Sequence, residues 1–121
     1  MTKKALVIGK HGAHHIEGAY APFMVALASC SRGYDTTVFL IWDAVELAQE
    51  EVAKSIQAPS SPSLYEMMRD AIEMGAEVYI CDRSAAMRDI TTPEGLVEGV
   101  QFRDAFELID LVDEADVVLD F

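Results

Sequence analysis

Two cysteines and three histidines are the side chains of this 121-residue sequence best suited to nucleophilic, acid–base or metal chemistry. Cys81 closes the apolar run EVYIC (77–81), and the polar, charged stretch DRSAAMRDI follows at once. A cysteine between the end of a strand and the start of a helix meets the free amides of the first helical turn, which favour a thiolate. Arg83 and Arg88 would add positive charge there, while Asp82 and Asp89 would oppose it. The same position also suits an inert core thiol, because cysteine packs as a small apolar residue. The neighbouring residues leave both readings open. Cys30 lies near the C-terminal end of an apolar helix, where the helix dipole disfavours a thiolate, and is read as packing.

His11, His14 and His15 all fall in one loop, KHGAHHIEG (10–18). If strands one and three are neighbours, as is common in doubly wound sheets, this loop overhangs Cys81. The imidazoles could then donate or accept protons or, when charged, stabilise a thiolate. A His/Cys transition-metal site is an alternative, although the spacing matches no standard zinc motif and no metal ligand is assigned. A solvated polar loop is the third reading. The stretch GKHGA is not a dinucleotide fingerprint, and no phosphate-binding P-loop or nucleophile-elbow motif occurs.

These residues need elements to hold them. KALVIG (4–9), DTTVFLIW (35–42), EVYIC (77–81), VQF (100–102) and DVVLDF (116–121) read as strands. They are apolar without alternation, as strands of a parallel sheet covered on both faces are. Helical patterns lie between them. AYAPFMVALASCSRG (19–33) places Pro22 in its first turn and ends in Gly33. DAVELAQEEVAK (43–54) starts at Asp43 as N-cap, with Val45, Leu47, Ala48 and Val52 on one face. SLYEMMRDAIEMG (63–75) opens with Ser63 and Glu66 in capping-box spacing. A short helix fits 83–90, a helical turn starts at Pro93, and RDAFELIDLVDEA (103–115) turns Phe106, Leu108, Ile109, Leu111 and Val112 inward. SIQAPSSPS (55–63) is expected to be the most mobile loop. The architecture is a three-layer α/β/α sandwich on a mainly parallel five-stranded sheet, with residues 1–121 as a single domain. Ligands of such sheets sit outside the carboxyl ends of the strands, here the loops beginning at Gly9, Trp42, Cys81 and Phe102.

Composition narrows the function. The formal net charge of −12 disfavours nucleic acid and anionic membranes as partners. No run approaches the ~18 apolar residues of a membrane helix, and ALVI is too short for a signal peptide, so the cytoplasm is the expected compartment. Two cysteines without a CxxC motif give no disulfide framework, and both are expected as free thiols.

With these residues in view, the chain resembles the DsrE/DsrF-like (DsrEFH) family. The likeness is carried by AYAPFMVALASCSRGYDTTVFLIWDAVELA, by EMGAEVYICDRSAAMRDI and by the ending EGVQFRDAFELIDLVDEADVVLDF. The resemblance implies a small cytoplasmic α/β protein that carries sulfur as a cysteine persulfide. Carried over by position, the sulfur-bearing cysteine falls on Cys81; Arg83, His11, His14 and His15 are candidate binding residues from their local sequence context, not through the resemblance. The resemblance further implies sulfur donor and acceptor proteins as partners, no bound cofactor, and a homo-oligomer such as a dimer, trimer or hexamer. The histidine-rich first loop departs from the small, polar and acidic residues common there in the family. The alternative is a non-catalytic oligomeric binding protein, with a His-lined ligand or metal pocket and a structural Cys81.

Overall fold

The computed structural model describes residues 2–121. Its strands are β1 (Lys4–Gly9), β2 (Asp35–Leu40), β3 (Glu77–Cys81), β4 (Gln101–Arg103) and β5 (Val117–Asp120), and its helices are α1 (Ile16–Ser31), α2 (Glu50–Ser55), α3 (Leu64–Glu73), α4 (Asp82–Ala86) and α5 (Ala105–Glu114). A 3₁₀ helix, η1 (Trp42–Ala48), precedes α2. All four strand pairings are parallel, in the order β4-β3-β2-β1-β5. The α/β fold read from the unalternating strands is therefore the one observed.

The two faces of the sheet are covered unequally. Val7, Val38, Leu40, Val78 and Ile80 pack with Phe23, Leu47, Leu64 and Met68 into one continuous core, on the face that carries α1 and α3. Full burial of each such side chain contributes about 1.5–3 kcal/mol. The opposite face turns Leu6, Thr37 and Tyr79 toward α5, which alone carries the chain back from β4 to β5. No residue of α5 is fully buried.

This overturns the inward assignment of the α5 stripe. Leu108 and Leu111 are half-covered, but Phe106 is 84% and Ile109 59% exposed, and Val112 is also exposed. At 100° per residue, these five side chains span more than half the helix circumference. One flat sheet cannot cover so wide an arc.

Local expectations were met where capping chemistry is strong. Ser63 accepts a hydrogen bond from the Glu66 amide at 3.1 Å and starts α3. Elsewhere the boundaries move. Helix α1 begins at Ile16, earlier than the apolar pattern, because His15 caps it, so Pro22 sits in the second turn. The segment expected as one helix from Asp43 splits at Gln49 into η1 and α2, and Asp43 is not a cap, since its carboxylate is held by Arg88. Residues 91–99 form turns without the helical turn expected at Pro93. The 55–63 loop is fastened by the Tyr20 hydroxyl, which donates to Pro62 O at 2.7 Å and accepts from the Ala58 amide at 3.1 Å.

Candidate functional site

Cys81 is the last residue of β3 and the N-cap of α4. Its Sγ accepts a hydrogen bond from the Ser84 amide at 3.5 Å. The sulfur is half-buried and forms part of the wall of an open cleft of about 620 Å³ at the carboxyl edge of the sheet. The cleft is bounded by Cys81 and Arg83 from the β3–α4 junction, Ile90 beyond α4, and Phe102, Asp104 and Phe106 from the β4–α5 junction. Its walls are mostly apolar, with Asp82, Arg83 and Asp104 supplying charge. Arg83 forms no ion pair among the described residues, so its charge is free to meet a ligand.

The other arginine near Cys81 is committed. Arg88 Nη2 lies 2.5 Å from Asp43 Oδ1 and its Nε 3.3 Å from Glu46 Oε1, while Nη1 donates to Ser84 O at 3.0 Å. These contacts join η1 to α4. A second link runs from the Trp42 amide, which donates to Ser84 Oγ at 3.2 Å. Trp42 has a φ of +54°, a left-handed conformation costing a bulky residue about 1 kcal/mol or more. The Arg88 guanidinium holds the Asp43 carboxyl below its ordinary range, chiefly by hydrogen bonding, with Coulombic help from Arg88, His14 and His11.

The histidine loop does not overhang Cys81. Strand β2 lies between β1 and β3, so the condition for the overhang, that strands one and three are neighbours, is not met. The order of parallel strands depends on which way each crossover turns, which the apolar runs do not encode. His15 Nδ1 accepts from the Gly18 amide at 2.9 Å, and His11 stacks on His15 with ring centroids 4.7 Å apart. His14 Nδ1 stands 3.7 Å from the Asp43 carboxylate. None of the three imidazoles lines the Cys81 cleft. Among the described residues, no group of three or more His, Cys, Asp or Glu side chains is arranged to hold a metal ion. Gly12 lets the loop lie against η1, since a Cβ there would stand 2.8 Å from the Asp43 carbonyl oxygen.

The loop thus reaches the sulfur only through intermediaries, in the order His14, Asp43, Arg88, Ser84, Cys81. Sequence reading gave Arg88 a direct electrostatic part and missed Ser84 and the pairing of Asp43. The available signal was an acid just past β2 and an arginine just past Cys81, on two loops of the same sheet edge. Cys30 is half-buried against the core, as expected of a packing residue.

The family model described as DsrE/DsrF-like matches residues 3–121. The chain belongs to the DsrE/DsrF-like family. Two uncharacterised proteins of Methanocaldococcus jannaschii are similar to this family member. One is 33% identical over 106 residues, covering 87% of this chain and 88% of that protein. The other is 29% identical over 111 residues, 92% of this chain but only 40% of a longer protein. The solved structure of the ychN protein from E. coli shares the fold, with a TM-score of 0.84 at 21% identity over 99% of this chain and all of that one. A conserved protein of unknown function from Bacteroides thetaiotaomicron matches with a TM-score of 0.69 at 15% identity, over 98% of this chain and 95% of that one. No described helix of the DsrE/DsrF-like chain is long and apolar enough to cross a membrane.

Proposed function

We propose that this protein accepts and passes on sulfane sulfur as a persulfide on Cys81. The observation carrying this reading is the position of Cys81. Its sulfur sits in the wall of an open cleft with the Ser84 amide 3.5 Å away, in a family generally associated with sulfur relay. In the first step, the Cys81 thiolate attacks the outer sulfur of a donor persulfide, R–S–SH. The new bond forms Cys81–S–SH, the donor S–S bond breaks, and R–S⁻ leaves with the electron pair. In the second step, an acceptor thiolate attacks the same outer sulfur, which restores the Cys81 thiolate. Neither step requires an oxidant, a reductant or a cofactor.

The surroundings support both steps. The Ser84 amide stabilises negative charge on the inner sulfur, and unpaired Arg83 attracts an anionic persulfide or an acidic partner segment. His11, His14 and His15 occupy the neighbouring rim, where they would meet an incoming donor or acceptor protein rather than the sulfur. The cytoplasm suits the reading because a reducing compartment keeps both thiols free. Copies associate as a homo-oligomer through the uncovered apolar side of α5, supported by the exposure of Phe106 and Ile109.

Intact mass spectrometry after incubation with glutathione persulfide tests the assignment. The expected product carries one added sulfur on Cys81, removed by a second thiol. Equal uptake by a Cys81→Ser variant would remove Cys81 from the role.

A further inference from the structure

We infer that Arg88, acting through Ser84, is a positioning residue for the Cys81 sulfur. This rests on the proposed sulfur chemistry for its functional meaning, although the geometry stands without it. The Ser84 amide is the donor within hydrogen-bond reach of Cys81 Sγ, and three contacts fix Ser84. Its carbonyl accepts from Arg88 Nη1 at 3.0 Å, its Oγ accepts from the Trp42 amide at 3.2 Å, and its backbone is part of the single turn of α4. Five residues of helix have little stability of their own. The tie from α4 to η1 through Arg88 therefore supplies the order that the short helix lacks. Arg88 is anchored on the far side by Asp43 and Glu46, which belong to the segment that follows β2.

The planar fork of the guanidinium matters here. One group bridges two carboxylates and a carbonyl oxygen at once, whereas a lysine ammonium concentrates its charge at a point. The other charged groups around the unit are Asp82, Arg83 and Asp104 at the cleft, Asp89 next in the chain, and His14 beside Asp43. Arg88 shares its charge with two acids, so its role is to hold the Ser84 amide against the sulfur rather than to act as the local cation.

The test uses the full chain with Cys30→Ser, so that Cys81 is the only thiol, and compares it with Arg88→Gln, Arg88→Lys and Ser84→Ala. Two rates are read by intact mass: iodoacetamide alkylation from pH 5 to 10, and sulfur uptake from glutathione persulfide at pH 7. Circular dichroism reports folding. Folded Arg88→Gln should move the alkylation profile to higher pH and slow sulfur uptake about tenfold, the order expected on losing a hydrogen bond to a charged group. Arg88→Lys should follow Arg88→Gln; wild-type behaviour would show that charge suffices and overturn the positioning role. An unchanged profile in folded Arg88→Gln overturns it equally. Should Arg88→Gln not fold, Arg88→Lys decides, because it keeps the charge and loses the fork: a shifted profile supports the positioning role and an unchanged one overturns it. Ser84→Ala keeps the Ser84 amide and carbonyl and removes only the Trp42 tie, so a shift in Ser84→Ala with none in the Arg88 variants would assign the positioning to Trp42 and overturn it for Arg88. A parent protein that takes up no sulfur refutes the sulfur reading alone, since the alkylation profile still tests the geometry.

Discussion

Asp43 and Arg88 meet at 2.5 Å across the gap between η1 and α4, joining two segments 45 residues apart in the chain. The pair holds the Asp43 carboxyl below its ordinary range, principally through the hydrogen bond from Arg88. The sign follows directly. A carboxyl with a depressed folded-state pKa contributes stability that is present above its unfolded value, about pH 4, and is lost as pH falls through the folded value. An Asp43→Asn variant should therefore be less stable than wild type at pH 6–8, and the difference should shrink as pH falls below about 4. Urea denaturation curves across this range measure it, and a difference independent of pH would contradict the assignment.

The buried end of Tyr20 gives a second expectation. Its hydroxyl serves both Pro62 O and the Ala58 amide and is the side-chain anchor of the 55–63 loop. Tyr20→Phe leaves these backbone groups without their partner, which costs about 1–3 kcal/mol. The loss should be visible as a lower urea midpoint with an unchanged m-value. Amides of residues 56–63 should exchange faster by hydrogen–deuterium mass spectrometry.

Gly18 donates its amide to His15 while the His11 ring packs over it, and a Cβ there would lie 2.8–2.9 Å from His11 Cδ2, Cβ and Cγ. Alanine gains up to about 1 kcal/mol in helix propensity over glycine. Overpacking costs about 1–3 kcal/mol, and the clash reaches the base of the His11 side chain, which cannot swing aside without moving the loop. Gly18→Ala should therefore be net destabilising. A raised melting temperature in the variant would show that the loop yields freely.

The bare side of α5 bears on assembly. Replacing Phe106 and Ile109 together by glutamate should weaken self-association at least about a hundredfold, if each acts as an interface anchor worth about 2 kcal/mol. Sedimentation velocity at micromolar concentration measures this. Wild-type protein that sediments only as monomer would remove the basis for assembly through α5.

What could be read from the sequence divides by physical range. Ser63 with Glu66, and the ending of β3 at Cys81, depend on neighbours within four residues, and both were legible. His15 as a helix cap was missed because the apolar pattern starts several residues later, although the ring nitrogen does the work that serine or aspartate usually does. The Arg88 unit joins side chains 45 residues apart, and its formation depends on β2 lying directly beside β3. Only the strand order reveals that. The exposure of Phe106 was illegible for a different reason. An amphipathic pattern shows that a helix has an apolar side, but not whether the same chain covers it.

The unequal cover of the sheet has a consequence at its β5 edge. Val118 and Leu119 are substantially exposed, so burial contributes little to holding this strand. It is fastened to β1 by backbone pairing, by Asp116 just before it, whose carboxylate accepts from the Lys4 backbone N–H at 2.8 Å, and by the ion pair of Lys10 with Asp120 at 2.8 Å. The partly solvated Lys10–Asp120 pair weakens as ionic strength rises, whereas the central strands depend on apolar packing that salt leaves intact. Added salt should thus loosen one border of the molecule selectively, and Val117–Asp120 is the segment that peels away first while Val7 and Val38 stay locked.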